Sequence, residues 1–202
     1  MRAAFYDRLG SASDVLTVGE QPTPEPGPGE VRVRLATSGV NPSDWKARAR
    51  GRGGVIPFPL IIPQSDGAGT IDAVGDGVDG GRVGRDVWLM NGQWQRPFGT
   101  AAEYICMPAK YVIDLPAGAD KAEAACFGIP FLTAHRAVMF DGDVAGQTIL
   151  VQGGAGAVGD HAVQVAKANG ARVIATISSD EKADFARQAG ADEVVNYRSE
   201  DV

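Results

Sequence analysis

The stretch Thr148-Ile149-Leu150-Val151-Gln152-Gly153-Gly154-Ala155-Gly156-Ala157-Val158-Gly159 decides how the last third of this chain folds. Its apolar opening, 148–152, reads as a short buried strand. Residues 154–159 then spell a GxGxxG turn. Val158, Ala162, Val165 and Asn169 recur at helical spacing, and Gly170 stops the helix. In a chain with 27 glycines the pattern by itself is a weak signal. Its context makes it specific: a strand runs directly into it, a helix opens within it, and a strand rich in β-branched residues follows at 172–177. Each glycine then has a physical reason, namely a tight turn, close approach of the backbone to a pyrophosphate, and close packing of helix on strand. The first N–H groups of the helix would face the phosphates. Gly154, Gly156, Ala157, Val158 and Gly159 are the expected dinucleotide-binding residues. The competing reading is a structural glycine turn in an unrelated α/β protein.

Outward from this turn, a helix at 180–189 ends at Gly190 and a third strand follows at 193–196. Strand, helix, strand, helix, strand in this order forms a right-handed parallel unit. The end of the second strand reports which dinucleotide is taken. A binder of the unphosphorylated cofactor places an acid there for the ribose 2′-hydroxyl. Here Thr176-Ile177-Ser178-Ser179 carries no acid before Asp180. A carboxylate would repel a 2′-phosphate, whereas the Ser178 hydroxyl and the Lys182 ammonium would accept one. NADP(H) is therefore expected over NAD(H). Taken singly, Lys182 is better read as a solvated helix lysine; Ser178 and the missing acid shift the reading.

The first two-thirds has another texture. Val31, Val33 and Leu35 alternate with Arg32, Arg34 and Ala36, as in a half-buried strand. The prolines at 22, 24, 26 and 28 make the segment before it an extended loop. Further short strands are expected at 69–74, 86–90, 100–106 and 111–114, separated by glycine-rich turns, which together suggest a barrel-like β unit. Near residue 120 the pattern changes. Asp120 can cap a helix through 122–127, Gly128-Ile129-Pro130 interrupts it, and a second helix runs to about Phe140. The expected domains are 1–124 and 125–202.

Composition bounds the function. The 202 residues are 44% hydrophobic and carry a net charge of -6, so the chain can bury a core, and nucleic-acid or anionic-membrane binding is not expected. No apolar run suits a membrane span, and Met1–Asp7 does not read as a secretory signal. A cytoplasmic location is expected. Cys106, Cys126, His135 and His161 lack the spacing of a disulfide framework or a zinc site, and read as buried thiols and surface or half-buried imidazoles.

Several stretches together resemble the zeta-crystallin-like quinone oxidoreductases of the medium-chain dehydrogenase/reductase superfamily. They are Ser38-Gly39-Val40-Asn41-Pro42, Gly67-Ala68-Gly69, Gly99-Thr100-Ala101-Ala102-Glu103-Tyr104, Gly128-Ile129-Pro130-Phe131-Leu132-Thr133-Ala134, the glycine turn with Ala162-Val163-Gln164-Val165-Ala166-Lys167, and Gly190-Ala191-Asp192-Glu193-Val194-Val195-Asn196-Tyr197. The resemblance implies an N-terminal chaperonin-10-like β-barrel domain followed by a Rossmann domain, with NADPH in the cleft between them. It implies that Ser178, Lys182 and Tyr197 surround the 2′-phosphate, and that Asn41 and Ser65 stand where related alcohol dehydrogenases hold zinc with Cys and His. Asn91–Pro97 replaces the structural-zinc lobe. No metal is therefore expected.

Without a Lewis acid, hydride transfer suits an acceptor that is already electron-poor, such as a quinone or an α,β-unsaturated carbonyl. Asn41 is the leading catalytic candidate, since its amide both donates and accepts; the plain reading is a turn former before Pro42. Thr133 matches a family position beside the nicotinamide; the plain reading is a helix hydroxyl bonded one turn back. Lys46 stands where relatives often carry tyrosine. It could steady a developing oxyanion, but a surface role is favoured. Trp45 is expected to pack rather than touch substrate. Asp160 and His161 depart from the small or apolar residues usual after the turn, and Asp160 is expected to face solvent.

The chain also departs in length, reaching only the first three parallel strands of the implied Rossmann domain. A fragment of a longer protein is the favoured reading, with homodimerisation through an open strand edge, aggregation or inactivity as expected consequences. A nucleotide-binding or structural fragment without turnover is the alternative function.

Overall fold

The computed structural model describes residues 1–51 and 53–201; Val202, the last residue of the expected second domain, lies outside the described residues. The chain divides into two compact units, Met1–Ile129 and Pro130–Val202. The division falls a few residues beyond the expected 124/125 limit, in a π-helical turn at Phe127–Phe131.

In the first unit, β1 (Arg2–Phe5) and β2 (Thr17–Glu20) form an antiparallel pair, with the single helical turn α1 (Ala12–Val15) between them. There follow β3 (Glu30–Gly39), α2 (Pro42–Arg50), β4 (Asp66–Val74), β5 (Asp86–Leu89), β6 (Tyr104–Pro108), β7 (Val112–Asp114) and α3 (Lys121–Ala124). Five of these strands make one antiparallel sheet in the order β6-β3-β4-β5-β7, the barrel-like unit. The alternation in β3 has the expected cause. Val31 and Val33 are fully buried against Ile71, Leu89, Ile105 and Met107. Arg32, on the other face, reaches across to Asp72 on β4 with Nε to Oδ1 at 2.9 Å.

Three local expectations change. The strand expected from residue 100 starts only at Tyr104, because the N–H groups of Thr100 and Ala101 donate to the carbonyls of Gln64 (3.0 Å) and Pro63 (3.1 Å) instead of to a sheet ladder. At Asn41-Pro42, where the plain reading is a turn, the structure starts a nine-residue helix, α2. Asn41 is its N-cap, proline occupies the first helical position, and the Asn41 N–H donates to Asp44 Oδ2 at 2.7 Å. Asn-Pro-Ser-Asp suits a helix start as well as a turn, because proline loses nothing at a position whose N–H has no acceptor. Finally, Gly128-Ile129-Pro130 does not break the helical path but widens it. The Ile129 N–H is drawn to Asp66 Oδ2 at 2.8 Å and Pro130 has no N–H, so two successive donors are missing from an α-helical ladder.

The second unit follows the sequence reading closely. It contains α4 (Leu132–Met139), β8 (Thr148–Val151), α5 (Ala157–Ala168), β9 (Arg172–Ile177), α6 (Asp180–Gln188) and β10 (Glu193–Asn196). The three strands are parallel in the order β10-β9-β8. Val163, Ala166, Val173, Ala175 and Ala186 are fully buried between helices and sheet. Asp192, ahead of β10, ties the layers together. Lys167 of α5 donates to both its oxygens at 2.9 Å and the Val173 N–H of β9 donates at 2.7 Å. The Lys167 contact, followed by the Val173 N–H, holds its carboxyl below the usual carboxylate range. No helix among the described residues is long and apolar enough to cross a membrane.

Among the described strands β8 is an edge, and its Leu150 is 50% exposed. A cavity of about 420 Å³ opens beside it, lined by Val138, Ile149, Leu150 and Val158 among others. An apolar edge with free backbone groups pairs readily with another chain, and a charge on it opposes that pairing. Sedimentation of the 202-residue chain is expected to show self-association that Leu150→Lys shifts toward monomer. A wild-type chain that stays monomeric at high concentration would contradict this.

Candidate active site

The second unit carries a glycine turn where β8 gives way to α5. Gly153 leaves β8 with φ 71°, a left-handed conformation that favours glycine, and its N–H donates to the buried Thr176 Oγ1 at 3.0 Å. Gly156 is the N-cap of α5. A Cβ placed on Gly156 would meet only the Gly153 carbonyl oxygen, at 3.3 Å, so its outer side is open to a ligand. Gly154 is buried, and its Cβ would lie 2.6 Å from the Cβ of Ala175 on β9. Gly159 is tighter still, with the Gly153 carbonyl oxygen 2.1 Å from its would-be Cβ. The glycines therefore let α5 start directly over the strand, with its first N–H groups lacking helical acceptors. With the helix dipole, these groups suit a pyrophosphate.

The residues expected around a 2′-phosphate do come together. A small cavity of about 170 Å³ is lined by Gly153, Ala155, Gly156, Thr176, Ile177, Ser178, Lys182 and Tyr197. Lys182 Nζ donates to Ser178 Oγ at 3.1 Å, and Ser179 caps α6 by accepting the Lys182 N–H at 3.4 Å. Among the described residues no carboxylate pairs with the Lys182 ammonium, which leaves one unneutralised cation at the pocket. Tyr197 is half exposed beside it. Open backbone donors, a free cation and two hydroxyls fit the phosphates of a phosphorylated dinucleotide. Val158 and Gly159 line the larger cavity beside β8 instead. Asp160 lies on the surface of α5, where Gln164 Nε2 donates to it at 2.7 Å.

The first unit gathers a buried polar cluster where β3 ends and β4 begins. Asn41, Asp44, Ser65, Asp66 and Thr100 are all buried. Asn41 Nδ2 donates to Asp66 Oδ2 at 2.8 Å. Thr100 Oγ1 donates to the Asp66 carbonyl at 2.8 Å and lies 2.7 Å from Ser38 Oγ, which also donates to Gln64 Oε1. Burial pushes the Asp66 carboxyl above its ordinary range, against the lowering effect of the Ile129 and Asn41 hydrogen bonds. Lys46 is exposed on α2, with Nζ 5.6 Å from the Trp45 ring centre. Trp45 is itself 45% exposed rather than packed. Thr133, near the start of α4, is exposed. Cys106 is buried, and burial first of all pushes its thiol up to about 12. Cys126 is exposed, contrary to expectation, because it follows the short, solvent-facing α3.

Sequence reasoning missed Gly153, Thr176 and Asp66. Gly153 adjoins the motif and was legible as a glycine ending a strand. Thr176 and Asp66 matter through partners 23 and 25 residues away, which spacing does not reveal.

A parallel unit with a glycine cradle, joined to an antiparallel barrel-like unit, defines the two-domain architecture of the medium-chain dehydrogenases/reductases. Residues 27–117 match the alcohol dehydrogenase GroES-like domain, and residues 157–202 match the zinc-binding dehydrogenase family. The chain is 35% identical to the human quinone oxidoreductase over 166 residues, covering 82% of this chain and 49% of that protein. It is 32% identical to the 2-methylene-furan-3-one reductase of Solanum lycopersicum, covering 99% of this chain and 53% of that protein. Among solved structures, an NAD-dependent alcohol dehydrogenase superposes with TM-score 0.89 at 35% identity, over all of this chain and 65% of that one. The Thermus thermophilus quinone oxidoreductase, also solved with NADPH, superposes with TM-score 0.82 at 32% identity, over 98% of this chain and 60% of that one. The chain belongs to the quinone oxidoreductase-like medium-chain dehydrogenases/reductases. It spans about half the length of the curated relatives it matches.

Proposed function

We propose that the protein is an NADPH-dependent, zinc-independent oxidoreductase that reduces a quinone or another electron-poor α,β-unsaturated carbonyl. The observation that carries this reading is the pocket at the end of β9, where Lys182 and Ser178 stand in place of a ribose-binding acid. The resemblance to an NAD-dependent alcohol dehydrogenase argues from overall shape, whereas this pocket bears on the cofactor phosphate itself. The names of the human and tomato relatives support the acceptor class.

The nicotinamide ring of the cofactor, when bound, supplies the hydride. The chain supplies the rest. The first turn of α5 holds the pyrophosphate, and Lys182, Ser178 and Tyr197 hold the 2′-phosphate. Asn41 offers an uncharged amide donor to a carbonyl oxygen on which charge develops, with Lys46 and Thr133 as further candidates for contacts to the reacting groups. Zinc independence rests on chemistry: Asn41 gives its amide N–H to Asp66, and Ser65 beside it is a poor zinc ligand.

The test is oxidation of NADPH or NADH with a panel of quinones, enones and simple ketones, with and without a chelator. Turnover is expected with NADPH and the electron-poor acceptors, and the chelator should not slow it. Ketone reduction that chelation abolishes would overturn the reading. Tight NADPH binding with no turnover on any acceptor would favour a nucleotide-binding role instead.

A further inference from the structure

The geometry points to Asp66 as the positioning residue of the acceptor side, whose carboxylate decides which way the Asn41 amide faces. This rests on the reading of Asn41 proposed above. Asp66 opens β4 and is wholly buried. One oxygen, Oδ2, receives both the Asn41 Nδ2–H and the Ile129 N–H, each at 2.8 Å. The other, Oδ1, is buried with no hydrogen-bond partner among the described residues. A Cβ on Gly128 would stand 2.0 Å from Oδ1, so that side of the carboxylate is walled by backbone. The carboxylate is thus held with one face committed and the other closed off.

A carboxylate only accepts, so it can face the amino end of the Asn41 amide and not the carbonyl end. An amide without such a partner has two nearly equivalent orientations related by a half turn. With Asp66 in place only one is compatible with the site. The Asn41 backbone is fixed separately, by its N–H to Asp44 Oδ2 at 2.7 Å. Two carboxylates therefore set one asparagine, Asp44 through the main chain and Asp66 through the side chain. The second Nδ2 hydrogen is then a donor held in a set direction, as stabilisation of charge on a carbonyl oxygen requires. A buried carboxylate with an unpartnered oxygen carries a desolvation cost that a purely structural position would avoid with an apolar side chain.

The experiment has two arms. The first is nuclear magnetic resonance of the Asn41 side-chain amide in the 15N-labelled chain, assigned by its loss in Asn41→Ser. Two well-separated proton signals are expected, one of them protected from solvent exchange, and Asp66→Leu should remove that protection. An amide that exchanges freely in the wild-type chain overturns the inference whatever the enzyme's activity. The second arm is turnover. Asp66→Leu should lower kcat by about 10- to 100-fold, the scale of a misplacement near 1 Å, and leave NADPH affinity unchanged. Asp66→Asn, whose amide oxygen can take the place of Oδ2, should recover most of the loss and guards against a Leu variant that fails to fold. Combined with Asn41→Ala, Asp66→Leu should add nothing further. Multiplying effects, or a matching loss of NADPH affinity, overturn the inference. A fixed amide in a chain without quinone turnover under any condition would refute the proposed activity and leave the orientation of Asn41 standing.

Discussion

Gly159→Ala is expected to abolish useful NADPH binding while leaving the first unit folded. The Cβ it adds would lie 2.1 Å from the Gly153 carbonyl oxygen, 2.8 Å from the Gly153 carbonyl carbon and 3.0 Å from Gly154 Cα. All three are backbone atoms of the turn, so no side chain can swing aside. Either α5 lifts from the strand or the turn flattens, and both displace the N–H groups proposed to hold the pyrophosphate. A shift on the order of 1 Å at such a site can cost about 100-fold. Crowding of this kind also destabilises by about 1–3 kcal/mol. Gly156→Ala is the control, because its added Cβ meets only one backbone atom, at 3.3 Å, and no other neighbour within 4 Å. It should leave the unit folded and weaken binding only by crowding the phosphate. Fluorescence titration with NADPH, alongside thermal unfolding, separates the two. Gly159→Ala binding NADPH as tightly as wild type would mean that the turn is not the cradle.

The second large effect is expected at Lys182. Lys182→Ala should weaken NADPH about 10- to 100-fold, the scale of one charge-assisted hydrogen bond, and leave NADH nearly unchanged. The ammonium sits 3.1 Å from Ser178 Oγ and has no carboxylate partner among the described residues, so its charge is available to an incoming phosphate. The side chain is exposed, and its attraction is therefore screened by salt. The preference of the wild-type chain for NADPH over NADH should shrink as ionic strength rises, whereas Lys182→Ala should show little such dependence. Isothermal titration with both cofactors at two salt concentrations measures this directly. Equal losses for NADPH and NADH would remove Lys182 from the 2′-phosphate.

The second unit was legible residue by residue, and the reasons are local. In the strands 172–177 and 193–196 and in the glycine turn, propensity, apolar spacing and stop signals all agree, and each acts within a few residues. Gly170 and Gly190 both adopt the positive φ that their reading as helix stops requires. In the first unit the sequence marked β3 and its alternation but concealed α2. Asn41-Pro42 is as good a turn as it is a helix cap, and only Asp44 turning back to the Asn41 N–H separates the two. The hairpin of β1 and β2 was unread for a similar reason, since four-residue strands carry too little pattern to announce themselves.

The sequence by itself determined the kinds of chemistry present: a glycine turn before a helix and a strand end without an acid. Such features depend on residue type and short spacing, and both are written along the chain. Tertiary structure alone decided which groups meet. It brought Thr176 to the Gly153 N–H from 23 residues away, and brought Asp66 to Asn41 and Ile129 from 25 and 63 residues away. The Asp66 contacts depend on how β3 and β4 pair and pack, as their antiparallel register does, and not on local preference.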